Sequence, residues 1–265
     1  MKPSVLITGA YGGMGRATVK ALRAKGFRIF ALDQTVGELE EDVIPILVDL
    51  TDESSVKNAF CKVSEQTDSL CAVIHFAGIY MLDSLVEMEN AAFEKICKIN
   101  LGAAFLVNKT FLPLLKSGSR VIITTSELSV LDPLPFTGIY AVTKSALDRY
   151  AYSLRMELQL KGIFVSVLRA GAVSTGMLGV STDALDRFCR ETKLYSCNAR
   201  RFKSIVNRVE ARCIDPSRIA KKITSILEAS SPRFAYSINR NPLLLLLNAL
   251  PDGLQFWIIK RILRS

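Results

Sequence analysis

Tyr140 and Lys144 stand four residues apart in "YAVTK", at the opening of a segment with helical periodicity. Residues i and i+4 share one helical face, so this phenol and ammonium can reach a common site. A phenol with an ordinary pKa of about 10 is a poor base at neutral pH. A neighbouring ammonium stabilises the phenolate and is expected to pull that value down. Ser126 ends the run "RVIITTS", fourteen residues before Tyr140. A hydroxyl there can hold the oxygen that exchanges its proton with Tyr140. The chemistry this trio suits is proton transfer to or from an alcohol or carbonyl oxygen. By itself the tyrosine–lysine spacing is a weak signal, and its weight comes from what surrounds it.

A second cluster lies at the first turn, "TGAYGGMG", Thr8 to Gly15. Glycines let the backbone turn tightly and approach a pyrophosphate, and a helix start supplies free N–H groups. Gly9, Tyr11, Gly13, Met14 and Gly15 are therefore candidate cofactor contacts. Asp33 follows Gly13 by twenty residues and closes the next apolar run. A carboxylate there accepts the adenosine ribose hydroxyls and repels a 2′-phosphate. NAD is therefore predicted over NADP. His75, the sole histidine, reads as a hydrogen-bonded strand-end residue and is given no catalytic role.

These residues need strand ends and helix starts to position them. Short apolar runs alternate with longer helical patterns, the signature of βαβ units. Strands are predicted at Ser4–Thr8, Arg28–Leu32, Ile44–Val48, Ala72–Phe76, Arg120–Thr124, Ile163–Leu168 and Arg233–Ile238. Helices are predicted from about Gly13 to Lys25, Glu53 to Glu65 with Asp52 or Thr51 as N-cap, Tyr140 to Leu160, and Ile219 to Glu228. A long helix is predicted from about Asn90 to Lys116, bent near Pro113. The crossover from Gln34 to Val43 is short and acidic, with its helix cut down or missing. The fold class is α/β, a Rossmann-like doubly wound parallel sheet flanked by helices in a single domain.

The order of these motifs resembles the short-chain dehydrogenase/reductase family, single-domain type, over residues 3 to 175. The glycine turn fits that family's T-G-x-x-x-G-x-G and equally the T-G-x-x-G-x-x-G of the sugar-nucleotide epimerase branch. The epimerase branch usually adds a C-terminal substrate domain, for which there is little room here. The resemblance implies a hydride-transferring oxidoreductase with Asn100, Ser126, Tyr140 and Lys144 as its catalytic set. It implies that Asp49 in "VDLTD" reaches the adenine amino group, with Leu50 packed nearby. In "HFAG", Ala77 and Gly78 match the family's N-N-A-G, whereas His75 and Phe76 depart from it. Asn100 in "KINLGAAF" matches an asparagine that distorts its helix and holds a water linked to the catalytic lysine. In "RAGAVST", Gly171, Val173 and Thr175 match the loop that holds the nicotinamide carboxamide, and Ala170 replaces its proline. Homodimers or homotetramers, built on the helices that start near Asn90 and Tyr140, are implied as well.

Composition fits a folded α/β chain: 265 residues, 49% hydrophobic and 22% charged. The net charge of +9 reads as a solvated basic surface, with no nucleic-acid motif beside it. Six cysteines without a C-x-x-C pair predict no metal site. No signal-peptide layout is present, so a cytoplasmic setting is expected, with membrane association through the tail as an option. Residues of about 174–214 are expected to form a substrate lid, including Met177, Leu178, Val180, Leu185 and Phe188. Its basic set is Arg187, Arg190, Lys193, Arg200, Arg201, Lys203, Arg208 and Arg212. The apolar segment of about 241–265 can line the pocket, pack on a partner subunit, or lie on a membrane interface. Lid and tail look like those of steroid, retinoid and related lipid-alcohol dehydrogenases. The expected substrate is therefore a small but bulky apolar alcohol or ketone. The alternatives are a non-catalytic NAD-binding redox sensor and a 3-oxoacyl-thioester reductase. An intact Ser126, Tyr140 and Lys144 argues against the first, and Asp33 against the second.

Overall fold

Aliphatic and β-branched runs too short for helices pair edge to edge, and in the computed structural model they form one seven-stranded parallel sheet. The structure describes residues 2–37, 40–208 and 213–264, without the side chains of 177–180 and 208. The strands are β1 (Ser4–Thr8), β2 (Arg28–Asp33), β3 (Val43–Leu47), β4 (Leu70–His75), β5 (Leu115–Ser126), β6 (Phe164–Ala170) and β7 (Ala235–Ile238), in the order β3-β2-β1-β4-β5-β6-β7. Leu6, Ile7, Val73 and Ile74 in the central strands are fully buried. Each such side chain is worth about 1.5–3 kcal/mol relative to exposure.

Helices cover both faces. On one side α1 (Gly13–Ala24) lies beside α8 (Pro216–Glu228), and Val19, Leu22, Ile219 and Ile223 pack on Val5, Ile29 and Ile122. On the other, α2 (Glu53–Ser64), α4 (Ala103–Phe111) and α5 (Gly138–Leu158) place Val56, Val107, Phe111 and Leu147 against Leu6, Val73 and Val121. Asp52 caps α2 by accepting from the Ser55 N–H at 2.7 Å. Sheet order reverses between β1 and β4, and a crevice opens there at the strands' carboxyl ends.

Several boundaries differ from expectation. The third strand runs one residue earlier, and β7 starts only at Ala235. β5 reaches back to Leu115 through an irregular stretch at Gly118, whose φ of 88° favours glycine. The long helix predicted to Lys116 is broken. It consists of α3 (Asn90–Cys97), a π-helical turn over Lys98–Gly102, α4, and a 3-10 turn over Leu112–Leu114 around Pro113. Between β2 and β3 a bridge joins Glu40 and Val43, while residues 38 and 39 lie outside the described residues.

Beyond β6 come α6 (Gly176–Glu191) and α7 (Ser196–Arg208), and after β7 two short helices, α9 (Pro242–Asn248) and α10 (Asp252–Leu263). Leu185, Phe188 and Phe202 of α6 and α7 form a separate apolar cluster with Leu82 and Leu263. Phe136 stacks in it against Phe188 at 4.6 Å and Tyr195 at 5.4 Å between ring centroids. Of the expected lid residues, the side chains of Met177, Leu178, Val180 and Arg208, and the whole of Arg212, lie outside the described residues.

Candidate active site

Thr8 ends β1, and the chain turns at once into α1. Gly9 holds a φ of 66°, and a Cβ there would meet the Ala77 nitrogen at 2.7 Å. A Cβ on Gly15 would meet the Gly9 carbonyl oxygen at 2.1 Å. The turn therefore closes only with glycine at both places. No side chain caps the start of α1, whose first residues line a groove of about 470 Å³. Tyr11, Met14, Leu50, Ala77, Gly78 and Thr175 also line it.

Asp33 closes the far end of that groove. Its Oδ2 accepts from the Tyr11 N–H at 2.8 Å and its Oδ1 from the Gln34 N–H at 2.7 Å. Each carboxylate oxygen has a second lone pair, so the group braces the turn and retains capacity for hydroxyl donors. Asp49 is exposed, and its Oδ1 accepts from both the Thr51 N–H and the Thr51 hydroxyl at 2.8 Å. Those bonds hold its carboxyl below the usual range. Leu50 and Thr51, not Asp49, face the groove.

A smaller recess of about 240 Å³ adjoins the groove, and Met14, Phe76, Gly78, Tyr80 and Thr175 line both. β5 delivers Ser126 to it, α5 delivers Tyr140 and Lys144, and the loop after β6 delivers Gly171 and Val173. Ser126 Oγ accepts from the Leu128 N–H at 3.2 Å, and Ser126 and Tyr140 line the same recess. Burial raises the Tyr140 phenol well above its usual range, against the opposing pull of Ser126. Lys144 is itself buried, and burial lowers it to about 8. Its Nζ lies 5.7 Å from the Tyr140 ring centroid and 3.5 Å from the Thr124 carbonyl oxygen. In the protein alone desolvation is the largest influence on this phenol. Thr124 Oγ1 lines the same recess, buried and without a hydrogen-bond partner.

Asn100 sits in the π-helical turn and lines neither cavity. Its Oδ1 accepts from the Ile79 N–H at 2.8 Å, while Nδ2 donates to the Ile79 carbonyl and to Thr143 Oγ1, both at 3.0 Å. It thereby ties the loop after β4 to α5. A Cβ on Gly78 would lie 3.2 Å from Asn100 Oδ1 and 3.3 Å from Lys144 Nζ, so glycine keeps room beside both. His75 lies behind the recess, fully buried, with Nε2 2.9 Å from Asn108 Oδ1. Burial lowers it to about 4.

Sequence reasoning missed Tyr80 and Glu127. Tyr80 packs on Tyr140 at 4.9 Å between centroids, and burial raises its phenol to about 12. Glu127 lines the recess and accepts the Asn241 N–H at 2.7 Å. Neither carries a motif. Their adjacency to "HFAG" and to Ser126 is the only signal that pointed to them.

The uncapped helix start, the glycine cradle and the strand-end carboxylate fit a dinucleotide, and the chain belongs to the short chain dehydrogenase family, whose sequence model matches residues 3–186. Estradiol 17-beta-dehydrogenase 2 of Mus musculus is 32% identical over 202 residues, 71% of this chain and 52% of that protein. This chain therefore spans about half the length of that relative. The 17-beta-hydroxysteroid dehydrogenase type 2 of Homo sapiens is 28% identical over 284 residues, 97% of this chain and 73% of that protein. Among solved structures, levodione reductase superposes with a TM-score of 0.76 at 22% identity, covering 89% of this chain and 96% of that one.

Proposed function

We propose that this chain interconverts an alcohol with a ketone or aldehyde on a bulky apolar molecule, using NAD. The observation that carries the reading is the recess that Ser126, Tyr140 and Lys144 line together, adjoining the groove under the glycine turn. When bound, the nicotinamide takes up or delivers the hydride. Gly9, Tyr11, Gly13, Met14, Gly15, Leu50, Ala77, Gly78 and Thr175 would hold the cofactor along the groove, with Gly171 and Val173 at its inner end. Asp49 would act from the exposed rim.

Tyr140 gives its proton to a carbonyl oxygen or takes one from an alcohol. Ser126 holds that oxygen against the phenol. Lys144 favours the phenolate once charge develops there, because its ammonium is buried and poorly screened. Asn100 is a positioning residue that fixes the Ile79 backbone beside this group. NAD preference rests on Asp33, whose charge disfavours a 2′-phosphate. The apolar substrate class rests on Phe76, Tyr80, Leu128 and Tyr140 in the recess, on the adjoining lid cluster, and on the steroid substrates named for the two relatives. A homodimer or homotetramer through α4 and α5 completes the reading, supported by exposed Phe105, Val142, Tyr152 and Met156 on those helices.

The test is NADH formation with steroid, retinoid, bile-acid and simple alcohols, repeated with NADP and with Tyr140→Phe. Turnover should fall by roughly 100-fold or more in the variant, with NADH binding retained. Equal turnover in the variant would refute Tyr140 as the proton donor. A preference for NADP would overturn the role of Asp33.

A further inference from the structure

The C-terminal hairpin of α9 and α10 buries Leu244 and Leu263 yet leaves many of its large apolar side chains exposed. Gln255 is 4% exposed, whereas its neighbours Phe256 and Trp257 are 69% and 62% exposed. Polar bonds hold the inward face beside Leu263 and Ile259, which pack on the apolar cluster of α6 and α7. Gln255 Nε2 donates to the Leu250 carbonyl at 2.9 Å, and Asn248 Oδ1 accepts the Asp132 N–H at 2.5 Å. Asn198 Nδ2 donates to the Leu263 carbonyl at 2.7 Å. Asn241 caps α9 and gives its own N–H to Glu127. The hairpin is thus well anchored, yet Leu243, Leu246, Leu254 and Ile262 point outward with the two aromatics. The exposed set of Leu243, Leu246, Leu254, Phe256, Trp257 and Ile262 marks an interaction surface.

Charge identifies what it faces. Residues 240–264 carry Arg240, Lys260, Arg261 and Arg264 against one acid, Asp252. All four cations are exposed beside the apolar face. A second copy docked on the same patch through a two-fold axis would set these cations against one another. An anionic surface would pair with them. No helix among the described residues is long and apolar enough to cross a membrane, so the hairpin suits lying in an interface, with aromatic side chains at headgroup depth and cations on phosphates. We propose that α9 and α10 dock this protein on an anionic lipid bilayer. The proposal is independent of the reading of the recess, since its test needs no turnover.

Trp257 is the only tryptophan, so its emission reports directly on this face. The purified full chain is mixed with vesicles of phosphatidylcholine alone or with phosphatidylserine added, followed by fluorescence and co-sedimentation. A blue shift and co-sedimentation with the anionic vesicles are expected, both reversed by salt. Lys260→Glu with Arg261→Glu should weaken binding by roughly tenfold or more. Leu246→Ser with Phe256→Ser, both at exposed positions, should abolish the shift while leaving the unfolding midpoint in place. Unchanged emission with every vesicle would overturn the proposal. So would equal binding to neutral and anionic vesicles, or a shift that follows protein concentration and dimer mass without lipid.

Discussion

At the reacting tyrosine, burial and chemistry pull in opposite directions. Burial pushes Tyr140 up and Lys144 down to about 8, so at pH 7 the resting protein holds a neutral phenol beside a lysine that is still mostly ammonium. A buried ammonium is a cost to the fold that only function justifies. The folded-state lysine value lies below its ordinary 10.5, so the unfolded chain binds the proton more tightly. The destabilisation is full below about pH 8 and vanishes as pH rises past 10.5. Lys144→Met should therefore stabilise the protein by about 2–3 kcal/mol at pH 7 and by nothing near pH 11, read from urea midpoints. It should at the same time lose most turnover. A destabilised variant at pH 7 would show that the lysine's bonds outweigh its desolvation. The direction of Tyr140 also implies that alcohol oxidation accelerates as pH rises into the alkaline range.

Among the elements, β5, β6 and α5 are locked together just behind Ser126. Asp148, one turn beyond Lys144 on the same face of α5, is buried. It receives Arg169 Nε at 2.9 Å on Oδ1 and Arg169 Nη2 at 2.8 Å on Oδ2. The hydroxyls of Thr125 and Ser129 also lie 3.2 Å from its Oδ1. Ser129 Oγ in turn donates to the Ser126 carbonyl at 2.6 Å. One carboxylate thus fixes the backbone on both sides of Ser126. Removing a partner from a buried pair leaves the other charge uncompensated. Asp148→Ala should cost about 3–5 kcal/mol in unfolding free energy and lower kcat more than KM, because the serine loses its fixed seat. Full stability in this variant would mean that Arg169 finds solvent at no cost.

For the molecule as a whole, His75 joins the sheet to the helices beside it. Its ring meets Asn108 on α4, and Asn108 Nδ2 donates to the Tyr150 hydroxyl on α5 at 3.2 Å. The folded imidazole stays neutral down to about pH 4, against an ordinary 6.5. Between those values the unfolded chain holds the extra proton, so stability falls as pH drops through that window. The loss approaches about 3 kcal/mol. Since no other histidine is present, His75→Gln should flatten stability between pH 6.5 and 5, where most carboxylates have not yet titrated. An unchanged slope in the variant would assign the acid sensitivity elsewhere.

What the sequence determined by itself was local. Strand periodicity placed β1, β2, β4 and β6, and the glycine turn announced where the first strand becomes a helix. Tyr140 and Lys144 were legible because four-residue spacing on a helix forces two side chains onto one face. The tertiary structure decided what depends on neighbours distant in the chain. The resemblance implied a distorted helix at Asn100, but the partners of that asparagine, Ile79 and Thr143, come from other segments. Tyr80 and Glu127 enter the recess only because the sheet order brings the loops after β4 and β5 together. The shifts on Tyr140, Lys144 and His75 follow from burial, and the division of α10 into buried Gln255 and Leu263 and exposed Phe256 and Trp257 from what it packs on. Burial is a property of the assembled molecule: hydrophobic period fixes which face turns inward only when apolar residues occupy a single face, and in α10 they do not.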